Sequence, residues 1–389
     1  MRKFLGWLLI VSLTTALLLA ACAQLEPELP FAQELQDAVD VGLEKYDSGK
    51  GGTPGISVAV IVPGYSTWLG ISGISHGATP VTSDTPFAVG SISKNFTAAI
   101  ILQLVDEGVL SLDDLLNKWL PDYVNIDNTI TIRQLLYNTS GIHNMTENPE
   151  YWNAVFADPD KVLTPEQVIT TFVLEPYFSK GTDWHYSNSG YLLLGMIIKE
   201  ATGSELSDEY RNRLWTPLGL DSTFLPIEEV LPENTAHGWL DLDGDGAYDE
   251  VSVLSMIPFY SSAAAAGGWF STAEDLAKWS RALFYDGRVL SEQSLDQMLD
   301  FYSPIPEGSP DWRLCAGYGL GTVRFEPDIF NGLEIWGHSG DAPGYAAASL
   351  YLPDYDVFIG IATNTEEGEA MGTLNDLLSI ITSHIEPTS

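Results

Sequence analysis

Apolar, β-branched runs lie near both ends of this chain, while helical patterns dominate its middle. Ile56-Ser57-Val58-Ala59-Val60-Ile61-Val62 comes early; Ala346 to Leu352 and Val357 to Thr363 come late. Such short, nearly continuous runs read as strands in a buried sheet. Pro63-Gly64 turns the first run toward a second strand around Trp68 to Ile71, and Pro353-Asp354-Tyr355-Asp356 is a hairpin turn between the other two. From Lys94 to about Trp215 the periodicity is helical, interrupted by loops carrying Asn, Gly and Pro. Phe31 to Tyr46 places Leu35, Val39, Leu43 and Tyr46 at helical spacing before Gly49 to Gly52 stop it, and Leu374 to Ile385 reads as a closing helix. The simplest architecture is α+β: an antiparallel sheet assembled from both chain ends, flanked by helices, with a mostly helical lobe inserted at roughly 106–254. An apolar content of 45% with 11 Trp supports a packed core rather than a solvated acidic coil.

Charge narrows the function. The chain has 17 Lys+Arg against 53 Asp+Glu, a formal net charge of −36, and no basic block. Phosphate contacts need clustered cations, so a nucleic-acid partner is excluded. Two Cys exclude a disulfide scaffold and a Cys-rich zinc module. The N-terminus reads as an address. Met1-Arg2-Lys3 is followed by an uncharged run from Phe4 to Ala21, long enough that a retained anchor competes with a cleaved signal. Leu19-Ala20-Ala21-Cys22 resembles the lipobox of bacterial lipoproteins, which implies cleavage before Cys22 and lipidation of that residue. The expected layout is a signal peptide at 1–21, a tether at 22–30 and a globular domain at 31–389, held outside the cytoplasm on a membrane through its lipid. Cys315 is then the remaining thiol, and Leu314-Cys315-Ala316-Gly317 surrounds it with nothing activating; it reads as a small core residue.

Gly73-Ile74-Ser75-His76-Gly77 matches the G-x-S-x-G elbow, but that motif works between a strand and a helix, and here Ala78-Thr79-Pro80 leads into loop. The stronger signal is Ser91-Ile92-Ser93-Lys94, which opens into the helical run Phe96 to Leu104. Ser and Lys at i and i+3 share a helical face, so the amine can reach the hydroxyl. A helix N-terminus also favours an oxyanion beside Ser91, and a desolvated neutral Lys can serve as base to an otherwise weak nucleophile. Further on stand Tyr186-Ser187-Asn188 and His338-Ser339-Gly340.

With these three motifs in order, the sequence resembles the serine β-lactamase and penicillin-binding hydrolase superfamily. It is most similar to the branch holding class C β-lactamases, D-alanyl-D-alanine carboxypeptidases and β-lactamase-fold esterases. Leu110-Ser111-Leu112-Asp113-Asp114, Thr131 to Leu136, Thr139-Ser140-Gly141, Pro217-Leu218-Gly219-Leu220 and Gly267 to Thr272 extend the likeness from about Phe87 to Thr363. The resemblance implies a β-lactamase/transpeptidase-like fold and an acyl-enzyme at Ser91. It gives Lys94 and Tyr186 the proton traffic, leaving open which is the base, and gives Asn188, His338, Ser339 and Gly340 contact with substrate. The backbone N–H groups of Ser91 and Asp341 are the implied oxyanion hole. His338 stands where many β-lactamases carry Lys and is a weaker, pH-dependent cation; Asp341 adds a negative charge, and both weaken the case for β-lactams. Asn138 replaces a common His and Lys180 a usual Pro.

The expected function is therefore an extracytoplasmic serine hydrolase, first a D-alanyl-D-alanine carboxypeptidase-like peptidase, then a carboxylesterase. A β-lactamase or a slow penicillin-binding sensor comes last. No cofactor is expected for the reaction. Asp241, Asp243, Asp245 and Asp249, with Gly246, look like half of a calcium loop, but position 12 is Ser252 rather than Glu, and an acidic surface turn competes with a structural calcium site. The remaining His show no zinc spacing; His143 and His185 fall near the site motifs.

Overall fold

The computed structural model describes residues 26–45, 54–242, 244–303, 305, 314–365 and 369–388. The expected signal peptide, Cys22 and Asp243 lie outside the described residues.

Helix α1 (Ala32–Lys45) precedes strands β1 (Gly55–Ile61), β2 (Trp68–His76), β3 (Thr79–Pro80) and β4 (Phe87–Ala88). Helix α2 (Ser93–Asp106) opens the helical part, which includes α3 (Asn188–Thr202) and the small hairpin β5 (Gly238–Leu240) and β6 (Asp249–Val251). Helix α4 (Ile257–Gly267), strand β7 (Phe270–Ser271) and helix α5 (Ala273–Phe284) follow. Strands β8 (Cys315–Tyr318), β9 (Val323–Phe325), β10 (Trp336–Ala342), β11 (Tyr345–Leu352) and β12 (Val357–Thr363) precede the closing helix α6 (Glu369–His384).

The main sheet has eight strands in the order β3-β2-β1-β12-β11-β10-β9-β8. The two chain ends meet inside it, because β1 pairs antiparallel with both β2 and β12, in register Ile56↔Ser72 and Ile56↔Thr363. Strand β1 is buried along its whole length, which explains its unbroken apolar run. Its two faces differ in bulk. Ile56, Val58 and Val60 pack with Leu35 and Val39 of α1 and Leu374, Leu377 and Ile381 of α6, each fully buried aliphatic side chain contributing about 1.5–3 kcal/mol. Ala59 and Ile61 face Ala273 and Ala277 of α5.

The sequence reading ended the second strand too early. Strand β2 runs on through Ser75 to His76 before Gly77 turns the chain into β3. Ser75 is fully buried, its hydroxyl donating to Thr79 O at 3.1 Å.

On the helical side, α2 is buried nearly all round, as expected of a helix without a polar face. Phe96 stacks on Trp279 at 3.7 Å, and Trp279 Nε1 donates to Asn95 Oδ1 at 2.8 Å. This packing fixes the helix that carries Lys94. Thr131 and Gln134, and Thr164 and Gln167, form reciprocal capping boxes that start two shorter lobe helices.

Candidate active site

Ser91 sits in a short 3₁₀ turn, Gly90–Ile92, that runs into α2, rather than within the first turn of the α-helix itself. Gly90 has φ of +50°, a conformation in which a side chain is strained. There is also no room for one: a Cβ on Gly90 would lie 2.4 Å from Asp341 O. The contact is reciprocal, since a Cβ on Gly340 would lie 2.1 Å from Val89 O and 2.5 Å from Ser91 N. The nucleophile's turn and strand β10 thus meet backbone to backbone, bringing Ser91 and Asp341 to one place.

The i, i+3 spacing does what it predicts. Lys94 Nζ lies 2.9 Å from Ser91 Oγ. It also donates to Asn188 Oδ1 at 2.6 Å and to Ala266 O at 2.5 Å. Lys94 is completely buried, and that burial holds its ammonium well below the ordinary lysine range. A neutral amine has two N–H groups and one lone pair. In that form the two carbonyl oxygens take the N–H groups and leave the lone pair for the Ser91 hydroxyl. The arrangement can accept the serine's proton.

Ala266 reaches Lys94 because α4 is broken. Ala264 has φ 31° and ψ −110° inside the helix, a strained geometry for a residue with a Cβ, costing on the order of 1–3 kcal/mol. Beyond the break, Ala265 O accepts from Thr97 Oγ1 at 2.7 Å and Ala266 O from Lys94.

Tyr186 is held by the residue on either side of it. His185 N donates to Asn138 O at 3.0 Å and Ser187 N to Asn138 Oδ1 at 3.1 Å. Asn138, with φ of +60°, adopts the left-handed conformation that Asn tolerates better than most residues. Lys94 Nζ lies 4.8 Å from the centre of the Tyr186 ring, within cation–π range when protonated. Asn188 Nδ2 donates to Asn144 Oδ1 at 3.2 Å and Thr146 Oγ1 at 3.1 Å.

These groups open onto a cavity of about 520 Å³ lined by Ser91, Tyr186, Asn188, Ser339, Gly340 and Asp341 on one side. Met145, Trp152, Phe259 and Ala263 form an apolar wall. No Lys or Arg is among its described lining residues, and Asp341 is the acidic one.

His338 is not among the cavity's described lining residues, although Gly340 and Ala342, which share its face of β10, are. Its ring is buried, with Nε2 3.3 Å from the Tyr318 phenol oxygen and Nδ1 2.5 Å from Ser339 O. Burial, and then the nearby Lys94, push its pKa down to about 3. That shift makes it a neutral residue near neutral pH rather than the weak cation that its identity suggests.

His143 and His185 are also absent from the described lining, stacking instead on Tyr177 at 5.1 and 3.9 Å. Lys180 donates to Thr129 O at 2.7 Å on the surface. Cys315 is buried, donates to Gly317 O at 3.0 Å, and has its thiol pushed up to about 12 by burial. In the acidic turn, Asp241 accepts from Gly244 N and Gly246 N, Asp245 from Ala247 N, and Asp249 from Leu242 N. No group of three or more His, Cys, Asp or Glu suited to a metal ion occurs among the described residues.

Sequence reasoning missed Ala266 and Asn144, and noted Asn138 without giving it a role. The first acts through its carbonyl and has no side-chain signal. Asn144 carried a usable one, falling just beyond Thr139-Ser140-Gly141 in a segment rich in polar side chains.

A family model described as Beta-lactamase matches residues 31–381. Penicillin-binding protein 4 of Amycolatopsis lactamdurans is 32% identical over 332 residues, covering 80% of this chain and 81% of that protein. A penicillin-binding protein of Bacillus subtilis is 28% identical over 302 residues, 74% of this chain, which spans 62% of that relative's length. Among solved structures, the D-stereospecific amidohydrolase from Streptomyces sp. aligns with a TM-score of 0.74 at 30% identity, covering 89% of this chain and 98% of that one. The fold, the Ser91–Lys94 pair and the extent of these matches agree: the chain belongs to the beta-lactamase family of serine hydrolases.

Proposed function

We propose that this chain is a lipid-anchored, extracytoplasmic amidohydrolase acting through an acyl-enzyme at Ser91 on small amides or peptides of D-amino acids that carry a free amino group. The observation that carries the substrate side is the charge of the cavity. Its described lining offers one carboxylate, Asp341, and no Lys or Arg, and the buried His338 is held neutral. A terminal carboxylate gains nothing there, whereas an ammonium group is attracted. Met145, Trp152 and Phe259 suit an apolar side chain. A D-alanyl-D-alanine carboxypeptidase, the first expectation from the motifs, binds a substrate ending in a carboxylate and so takes second rank. The amidohydrolase relative from Streptomyces supports the D-amide reading. The location rests on the Met1 to Cys22 sequence.

In the reaction, the Ser91 hydroxyl gives its proton to neutral Lys94 while its oxygen bonds to the substrate carbonyl carbon. The backbone N–H groups of Ser91 and Asp341 stabilise the resulting oxyanion. Collapse expels the amine, which takes a proton from the Lys94–Tyr186 side, and leaves an ester on Ser91. Water, deprotonated by the same groups, releases the acid.

The test is a substrate panel on the mature protein: D-phenylalaninamide, N-acetyl-D-phenylalaninamide, a diacylated peptide ending in D-Ala-D-Ala, and a chromogenic cephalosporin. The free-amine amide should give the highest kcat/KM, and Ser91→Ala should abolish its turnover. A higher kcat/KM for the D-Ala-D-Ala peptide would overturn the substrate assignment.

A further inference from the structure

We infer that Glu147, outside the described lining of the cavity, is a positioning residue that sets the orientation of Lys94 through a chain of side-chain amides. The inference rests on the acyl-enzyme reading of Ser91.

An amine or ammonium N–H only donates, so Lys94 requires the oxygen of the Asn188 amide, and Oδ1 faces it at 2.6 Å. The Asn188 nitrogen must then point the other way. It does, toward Asn144 Oδ1 at 3.2 Å and Thr146 Oγ1 at 3.1 Å. Asn144 Oδ1 also accepts from Asn188 N at 3.1 Å. With its oxygen committed twice, Asn144 directs its own nitrogen outward, to Glu147 Oε1 at 3.2 Å. The other carboxylate oxygen, Oε2, accepts from Tyr177 OH at 2.7 Å, and the Tyr177 oxygen accepts from Asn144 N at 3.1 Å.

Each amide in this chain has one workable orientation only because both ends are fixed. Lys94, its lone pair committed to Ser91, donates at one end, and the Glu147 carboxylate accepts at the other. Reversing the Asn144 amide would put two N–H groups against each other at Asn188; reversing Asn188 in turn would put one against Lys94. An amide can be rotated at little cost when it has no fixed partner, so the carboxylate supplies the polarity that Asn144 and Asn188 lack. Around Glu147, His185 Nε2 lies 3.7 Å away, and His143 and His185 both stack on Tyr177. The Glu147 side chain is 39% exposed, so its replacement leaves no large void.

The effect on catalysis follows from Lys94. Its lone pair points at Ser91 only while Asn188 Oδ1 and Ala266 O hold its N–H groups. With the Asn188 amide free to turn, that alignment is lost for part of the time. Asn188 lines the cavity too, but a probe as small as an acetyl ester draws little of its binding from that amide, so KM should change far less than kcat.

The experiment compares Glu147→Ala, Glu147→Met and Glu147→Gln in the full mature chain, with p-nitrophenyl acetate as probe and thermal denaturation alongside. The Ala and Met variants should lose about tenfold to hundredfold in kcat, the scale of a misaligned catalytic pair, with KM within about twofold of the parent. Glu147→Gln offers its own oxygen to Asn144 and should recover kcat to within about threefold. Glu147→Met keeps the side-chain length, so a folded but slow Met variant supports the inference even if the Ala variant fails to fold. Parent-like kcat in either variant, a loss confined to KM, or a Gln variant as slow as Met would overturn it. Retained hydrolysis in Ser91→Ala would instead overturn the acyl-enzyme reading beneath it.

Discussion

Replacing Gly340 by alanine should separate the two halves of the proposed oxyanion hole while leaving every side chain of the site unchanged. The new Cβ would fall 2.1 Å from Val89 O, 2.5 Å from Ser91 N and 2.9 Å from Gly90 C, where ordinary contact begins at 3.4 Å. All three neighbours are backbone atoms, so no rotamer change relieves the overlap. Strand β10 must retreat from the 3₁₀ turn by about 1 Å, and Asp341, the next residue, moves with it. A hydrogen bond stretched by that much is largely lost, and loss of one oxyanion donor costs about 2.7–4 kcal/mol, or 10²–10³ in kcat. Overpacking itself costs about 1–3 kcal/mol of stability, within the 5–15 kcal/mol of a typical domain. The assay is kcat on a short-chain ester together with thermal denaturation. Gly190→Ala is the control, because its Cβ would meet nothing nearer than 3.6 Å. A folded Gly340→Ala variant within fivefold of the parent's kcat would refute the reasoning.

Three further outcomes are expected. His338 has a native pKa of about 3 against 6.5 when unfolded, so below pH 6.5 the unfolded chain takes up a proton that the native state refuses. The His338 share of the fall in stability should be up to about 1.4 kcal/mol per pH unit down to pH 3; stability from urea titrations should fall more steeply in the parent than in His338→Asn, and equal slopes would sink the assignment. Ser75→Ala should leave ester hydrolysis intact, since Ser75 is buried in β2 and bonded to Thr79; a loss comparable to that of Ser91→Ala would reassign the nucleophile. Cys22→Ala should move the protein from the membrane to the soluble extracytoplasmic fraction with kcat retained, and unchanged fractionation would remove the lipid anchor from the proposal.

The fold was legible where burial is two-sided. Strands β1 and β12 announce themselves because each residue faces a core. The extension of β2 to His76 was not, because Gly70, Gly73 and Ser75 carry little β-signal and are tolerated there by backbone pairing with β1 and β3. The Ser91–Lys94 pairing follows from helical spacing alone. Its consequences do not: the carbonyl of Ala266 depends on a helix break at Ala264 that no residue type marks. His338 reads as a cation from its identity, and the burial and the neighbouring Lys94 that lower its pKa arise only from the fold.

Closure of the central sheet has a temporal meaning. Gly55 N donates to Asn364 Oδ1 across 309 residues of chain, and contacts this distant form late, after the loop entropy between them has been overcome. A chain emerging N-terminus first carries Ser91 and Lys94 early, yet Gly90 has no β10 to rest against and β1 lacks β12 as its neighbour. The unfinished polypeptide is therefore latent. Hydrolytic competence reports that synthesis has reached the last strands, and an N-terminal fragment holding the nucleophile and its amine should be inert until the missing C-terminal strands are supplied.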